Sequence, residues 1–253
     1  MKIIINIIII TLFTFNVFGR QLGETEITTE DGIEVFQNEK FYLLKKNVEI
    51  VSDSFSLNAD DVRINFDKNL YDITELIAKG SVNFVSPEFK INGKGENLNF
   101  EVVSENLKVY GINSELITDD IEMFSDGFIE VSNLSGVFSL KGKNSKLNNI
   151  NIQIEAESID GIFSSNDNKK EIIQLEVIDK EISYVKNNET EMYAKKINFN
   201  SSISVIELID NVTIIRNGEK ITGDYGTLDT KNNSYKIKSK DQTRVKAIII
   251  DNE

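Results

Sequence analysis

The chain has 253 residues, a formal net charge of −13, 40% apolar residues, one proline, and no cysteine, histidine or tryptophan. Without His or Cys, the common zinc and redox sites and the Ser-His-Asp and Cys-His triads cannot be built. The acidic balance excludes nucleic acid as a partner and broad docking on anionic membrane surfaces. The 41 Asp and Glu residues leave a carboxylate-only site as the remaining catalytic option, but most read as solvated charges on strand faces and turns. The chain is therefore read as a binding protein with no catalytic residues, no metal and no cofactor.

Residues 1–19 read as a cleavable signal peptide: Lys2, an apolar run from Ile3 to Phe18, and a small residue, Gly19. The run is shorter than the ~20 residues a spanning helix needs. Cleavage after Gly19 would leave a mature chain of charge −14 beginning at Arg20. An uncleaved anchor is the rival reading. Residues 20–34 are polar and acidic and are expected to form a loose lead-in. An exported chain without cysteine must be held by its sheet and core alone.

From residue 35 onward, period-two alternation predicts strand after strand. Val62-Arg63-Ile64-Asn65-Phe66 is the clearest run. Val82-Asn83-Phe84, Phe89-Lys90-Ile91, Leu98-Asn99-Phe100 and Ile150-Asn151-Ile152-Gln153-Ile154 repeat the pattern. Asn217-Gly218 predicts a type I′ hairpin, which needs positive φ at both central residues. Asp126-Gly127, Asp67-Lys68-Asn69, Asn166-Asp167-Asn168 and Asn232-Asn233-Ser234 read as further turns. No long amphipathic helix is evident.

An internal repeat is present. Val48, Val82, Val131 and Val212 are each followed eleven positions later by a small residue, Ala59, Gly93, Gly142 and Gly223. An aliphatic residue stands two positions before each small residue and another five positions after it. The spacing between copies varies, which predicts stacked β units, as in an elongated jelly roll or a sheet folded over on itself, rather than a strict solenoid. The stack spans residues 35–253, with two lobes near 35–150 and 151–253 as an option.

The segments Asn47-Val48 … Leu57-Asn58-Ala59-Asp60-Asp61, Gly80-Ser81-Val82 … Ile91-Asn92-Gly93 and Asn211-Val212 … Ile221-Thr222-Gly223-Asp224 resemble the OstA-like domain of the LptA family of lipopolysaccharide transport proteins. The closing Arg244-Val245-Lys246-Ala247-Ile248 is similar to that family's last strand. The resemblance implies a twisted, V-shaped, open-ended pair of antiparallel sheets in the periplasm. It further implies lipopolysaccharide, through its lipid A acyl chains, as the ligand. The implied partners are an inner-membrane LptC-like protein, an outer-membrane LptD-like protein and further copies of the chain end to end. On that reading Val48, Ile50, Phe55, Leu57, Ile64, Phe66, Val82, Phe84, Phe89, Ile91, Leu98, Phe100, Val212, Ile214 and Ile221 line a lipid groove. The same residues would make the dry core of a closed sandwich. Lys45, Lys46, Lys90 and Lys94 are candidates for the groove rim. The other readings are a membrane-anchored LptC-like component, a β-solenoid surface protein and a carboxylate-only glycan-processing enzyme.

Overall fold

The computed structural model describes residues 22–68, 72–164, 170–240 and 244–249. The signal-peptide expectation and the turns at 69 and 166–168 lie outside the described residues. Among the described residues there are eighteen strands and no helix. In chain order they are β1 (Glu26–Thr28), β2 (Ile33–Phe36), β3 (Phe41–Val51), β4 (Ser56–Phe66), β5 (Ile73–Ser86), β6 (Ile91–Glu101), β7 (Asn106–Tyr110), β8 (Ser114–Thr118) and β9 (Glu122–Ser125). There follow β10 (Phe128–Ser132), β11 (Val137–Asn148), β12 (Ile152–Phe163), β13 (Ile172–Asn187), β14 (Thr190–Asn200), β15 (Val205–Arg216), β16 (Glu219–Asp229), β17 (Ser234–Lys238) and β18 (Lys246–Ile249). The segment expected as a loose lead-in thus supplies two strands. Alternation in Glu26-Ile27-Thr28 and Ile33-Glu34-Val35 is too short to read without the neighbouring β3 that pairs with both.

The long strands form an antiparallel meander from β3 to β6 and from β11 to β16. The short strands work in pairs, each pair standing in for one long strand. β1 and β2 cover the two ends of β3, β7 and β8 those of β6, β10 and β9 those of β11, and β17 and β18 those of β16. The pairings β7–β10 and β8–β9 carry the ladder across the middle. Residue 150, the optional lobe boundary, falls in the turn that joins β11 to β12, and these two strands pair with each other.

Nearly every ladder between long strands slips at mid-strand, and the slips line up. On β3 the register jumps between Lys45 and Val48, on β5 between Lys79 and Val82, on β11 between Lys141 and Ser145, and on β15 between Ile209 and Val212. Bulges let a strand turn a corner from one sheet into another. The result is a crease along the stack, with one wall on each side. The first wall holds β2, β7, β10 and β17; the second holds β1, β8, β9 and β18; every long strand contributes one half to each.

The backbone at the crease accounts for the repeat. Lys46 and Asn47, Gly80 and Ser81, and Asp210 and Asn211 are consecutive residues with positive φ immediately before Val48, Val82 and Val212. Left-handed backbone is least costly for Gly, Asn and Asp, so the Asn-Val and Gly-x-Val signatures are the bulge chemistry. Across the ladder, Val48 faces Ala59 and Val212 faces Gly223. The other two copies fit less well. Val82 faces Gly95 while Gly93 faces Phe84, because that half of β5 is one residue longer. Val131 faces Phe138 in the first wall, and Gly142 lies at the β11 bulge, so this copy matches two different places in the fold.

The turns follow suit. Asn217 and Gly218 both have positive φ and join Arg216 to Glu219, as a type I′ hairpin requires. Asp126-Gly127 is no hairpin; it is the break at the crease between β9 and β10, where Gly127 lies so close to Lys141 that a Cβ would meet its carbonyl oxygen.

The core lies between the walls. Leu44, Val62, Leu76, Leu98, Ile129 and Leu208 face inward from the first wall, and Ile50, Leu57, Leu116, Met123, Leu147 and Ile154 from the second. Beside the crease, apart from Val48, Val82 and Val212, many inward residues of the second wall are small, among them Ala59, Ser114, Ser125, Ser145, Ala156, Ser183, Ala194 and Gly223. The walls are closest there, so volume is excluded. The serines fill their buried hydroxyls locally: Ser114 Oγ donates to Gly111 O (2.8 Å), Ser145 Oγ to Gly142 O (2.8 Å) and Ser125 Oγ to Lys141 O (2.9 Å). They thereby satisfy carbonyls that the bulges leave unpaired.

Candidate functional site

The expected lining residues all fall on one side, between the walls. Ile64, Phe66, Leu98 and Phe100 come from the first wall; Val48, Ile50, Leu57, Val82, Phe84, Ile91, Val212 and Ile214 come from the second, and all twelve are buried. Phe55 and Phe89 pack half-buried against them, and Ile221 is half-buried opposite Ile214.

In the N-terminal half this interior is filled. Phe84 is 1% exposed. Its ring lies 5.7 Å from Phe100 of the opposite wall and 5.8 Å from Phe55. Phe89, in the turn at the tip of the second wall, meets Phe100 edge-on at 6.1 Å. Three rings thus close the mouth between the wall tips over β5 and β6.

The mouth opens further along. A recess of about 840 Å³ lies between the tips of the two walls in mid-stack. On the second-wall side it is bounded by the β8–β9 turn, from Ile117 to Glu122, and the β11–β12 turn, from Asn148 to Ile152. Lys170, Glu171, Ile172 and Phe199 of the first wall stand opposite. Ile121, Ile152, Ile172 and Phe199 make its apolar floor. Beneath it, Ile152, Ile172 and Phe199 also border a small apolar void of about 30 Å³ that reaches Leu175, Val185, Ile197 and Ile206.

Local hydrogen bonds hold both tips. Thr118 N donates to Ile121 O (2.8 Å), and Ile121 N to Thr118 Oγ1 (3.2 Å). Asn149 Oδ1 accepts from Asn151 N (2.8 Å) and Ile152 N (2.9 Å). Ser164 N donates to Glu171 O (2.7 Å) on the far side. Two polar groups at the recess stand out. Asn148 Oδ1 is buried without a hydrogen-bond partner among the described residues. The Lys170 ammonium is half-buried, and burial pushes its pKa down against the upward pull of Asp119 and Asp120 across the mouth. No salt bridge joins Lys170 to another described residue, whereas Asp119 is paired with Lys90 at 2.9 Å.

Of the expected rim lysines, Lys90 is at the mouth. Lys45 and Lys46 sit on the closed side of the V at the crease, paired with Glu34 (2.8 Å) and Glu30 (2.9 Å). Lys94 is exposed, 3.9 Å from Glu115. Lys170 carried no signal in a polar Asn-Asp-Asn-Lys-Lys run; only the meeting of β13 with the β8–β9 turn singles it out.

A second recess, about 770 Å³, lies on the outer face of the first wall and carries Asp160, Glu176, Asn198, Glu207 and Tyr225. Its carboxylates are engaged. Lys141 binds Asp160, Lys196 binds Glu176, and Tyr225 Oη donates to Glu207 at 2.6 Å. Burial raises the Asp160 pKa, but hydrogen bonds from Lys141, Ser139 and Ser158 bring it below the usual carboxylate range; those from Tyr225 and Asn198 do the same for Glu207. A glycosidase acid needs the opposite shift.

No protein-family model matches the chain, and no curated protein matches it. Among solved structures it is similar to LptH, the LptA-homologous periplasmic component of the conserved lipopolysaccharide transport device from Pseudomonas aeruginosa. The identity is 11% over 90% of this chain and 96% of that one, with a TM-score of 0.23. A likeness at that level carries no ligand, partner or residue role to this chain; the creased all-β jelly roll stands on its own strand registers.

Proposed function

We propose that the chain is a non-catalytic periplasmic carrier of lipopolysaccharide, holding acyl chains between its walls and joined end to end with its partners. The observation that carries the reading is the mouth: an apolar interior runs along the stack and meets solvent in a recess with an apolar floor. Each CH₂ withdrawn from water contributes about 0.8 kcal/mol, so a lipid with several acyl chains needs such a lining to cross an aqueous space. The sequence resemblance to the OstA-like domain supports the same ligand.

The two ends of the stack support the end-to-end part. Among the described residues, β1 and β2 pair with β3 alone, and β17 and β18 with β16 alone, so each end presents an open edge. The edges carry opposite charge. Glu26 on β1 and Glu34 on β2 mark one; Lys246 on β18 and Lys236 and Lys238 on β17 mark the other. Joining β17 to β2 and β18 to β1 would continue both walls, a head-to-tail contact that does not close. The same open edges suit LptC-like and LptD-like partners.

The test is direct. Purified mature protein is mixed with lipopolysaccharide and separated by size-exclusion chromatography. Lipopolysaccharide is expected in the protein peak at a fixed ratio. A lipid-free peak at all concentrations would return the chain to the structural β-protein reading.

A further inference from the structure

The recess in mid-stack is a lateral opening, and its chemistry differs from that of the filled N-terminal half of the interior. We propose that it is the portal at which one acyl chain of a phosphorylated glycolipid enters between the walls, with the lipid phosphate held at Lys170. The inference rests on the carrier reading and adds where, and by which groups, the lipid is taken.

Three independent features meet there. The floor is apolar, and Ile152, Ile172 and Phe199 separate it from the small void between the walls, since all three border both. A cation stands at the lip: Lys170 is half-buried and has no salt bridge to a described residue. Asp119 and Asp120 act on it only through space across the mouth, and a phosphate seated at the lip would supply a directly bonded counter-charge and strong acceptors. Asn148 borders the opposite lip, and its Oδ1 is a buried acceptor with no donor among the described residues; a glycolipid brings hydroxyl and amide donors that a bare hydrocarbon lacks.

The charges around the mouth set its selectivity. Asp119, Asp120, Glu122 and Glu171 border the same recess. Asp119 is neutralised by Lys90. Asp120 faces Lys170 and repels an anion that approaches from the second wall. An anionic head therefore seats against Lys170, away from Asp120, with its chains directed to the Ile152 side. The neighbouring mouth over β5 and β6 has no such room, because Phe84, Phe89 and Phe100 meet across it.

The chain has no cysteine, so a single introduced cysteine can be labelled uniquely. Ile152→Cys and, as a reference in the sealed half, Phe55→Cys are labelled with an environment-sensitive fluorophore and titrated with purified lipopolysaccharide. The Ile152→Cys label should shift to shorter wavelength on binding, and the Phe55→Cys label should not. In the Ile152→Cys background, Lys170→Glu should raise the half-saturating concentration about tenfold, the scale of one charge-assisted hydrogen bond. Lys180→Glu, a change of the same charge at an 84% exposed side chain, should leave it unchanged. A phosphate-free glycolipid should bind the Lys170→Glu variant and its parent alike. If lipopolysaccharide co-elutes with the protein but neither the Ile152→Cys label nor Lys170→Glu responds, the portal is wrong and the carrier reading stands. If nothing co-elutes, both fall.

Discussion

Val212 and Gly223 face each other across the β15–β16 ladder, directly beyond the left-handed pair Asp210-Asn211. That pairing states the fold in miniature. A bulge turns the strand from one wall into the other, and the residue opposite must be small because the walls are closest there. A Cβ on Gly223 would lie 2.5 Å from Ile237 Cγ2 and 2.8 Å from the Lys238 carbonyl oxygen, both on or beside β17 of the other wall.

Gly223→Val should therefore destabilise the protein by about 1–3 kcal/mol through overpacking. The backbone oxygen of Lys238 cannot turn aside as a flexible side chain would. Gly226→Ala, whose new methyl would meet Val212 Cγ1 at 3.2 Å, should cost clearly less. Urea unfolding of both variants gives the comparison, and equal midpoints would remove the close-approach argument.

The two halves of the interior should respond differently to truncation. Phe84 is sealed among Phe55 and Phe100, so Phe84→Ala should lose ~3–5 kcal/mol, the full core value. Phe199 is half-buried at the recess, so Phe199→Ala should lose less while weakening lipopolysaccharide binding. The measurement is paired, denaturant unfolding and lipid binding on each variant. Loss of binding in Phe84→Ala alone would move the lipid seat to the sealed half.

End-to-end association should be electrostatic as well as hydrogen-bonded. Mass in light scattering should rise with protein concentration at low salt. Raising salt to about 1 M, where the screening length falls to about 3 Å, should reduce that rise. Lys246→Glu should reduce it at low salt, and removal of residues 244–253 should reduce it at every salt concentration. A salt-independent monomer would count against the open edges as the contact.

Alkaline stability should fall in a defined window. Burial, with the hydrogen bond from Tyr193 Oη to Glu191 (3.1 Å) and its negative charge, pushes the Tyr193 pKa up to about 12. The folded value lies above the unfolded one of about 10, so the contribution is complete below pH 10 and is lost as pH rises towards 12. Ultraviolet titration should show a late-ionising tyrosine, and Glu191→Gln should bring that step to lower pH. An unchanged titration in Glu191→Gln would remove the carboxylate from the account.

The sequence by itself determined the local rules. Alternation set which side of each strand is apolar, Asn217-Gly218 set its hairpin, and the Asn-Val and Gly-x-Val signatures marked the bulges, because these depend on the backbone preferences of one or two residues. The small-residue column was legible where Ala or Gly stood at the repeat spacing. It was invisible at Ser114, Ser125, Ser145 and Ser183, since a serine in a polar-looking run gives no sign that its hydroxyl will close onto a bulge carbonyl. The tertiary structure alone decided which apolar residues fill a sealed core and which border an opening. Phe84 and Phe199 look alike in sequence. Their difference comes from what stands on the opposite wall: aromatic rings over β5 and β6 for Phe84, and short turns ending in Asp120 and Asn149 for Phe199. Lys170 likewise acquires its place only when β13 meets the β8–β9 turn, two segments far apart along the chain whose approach no local pattern encodes.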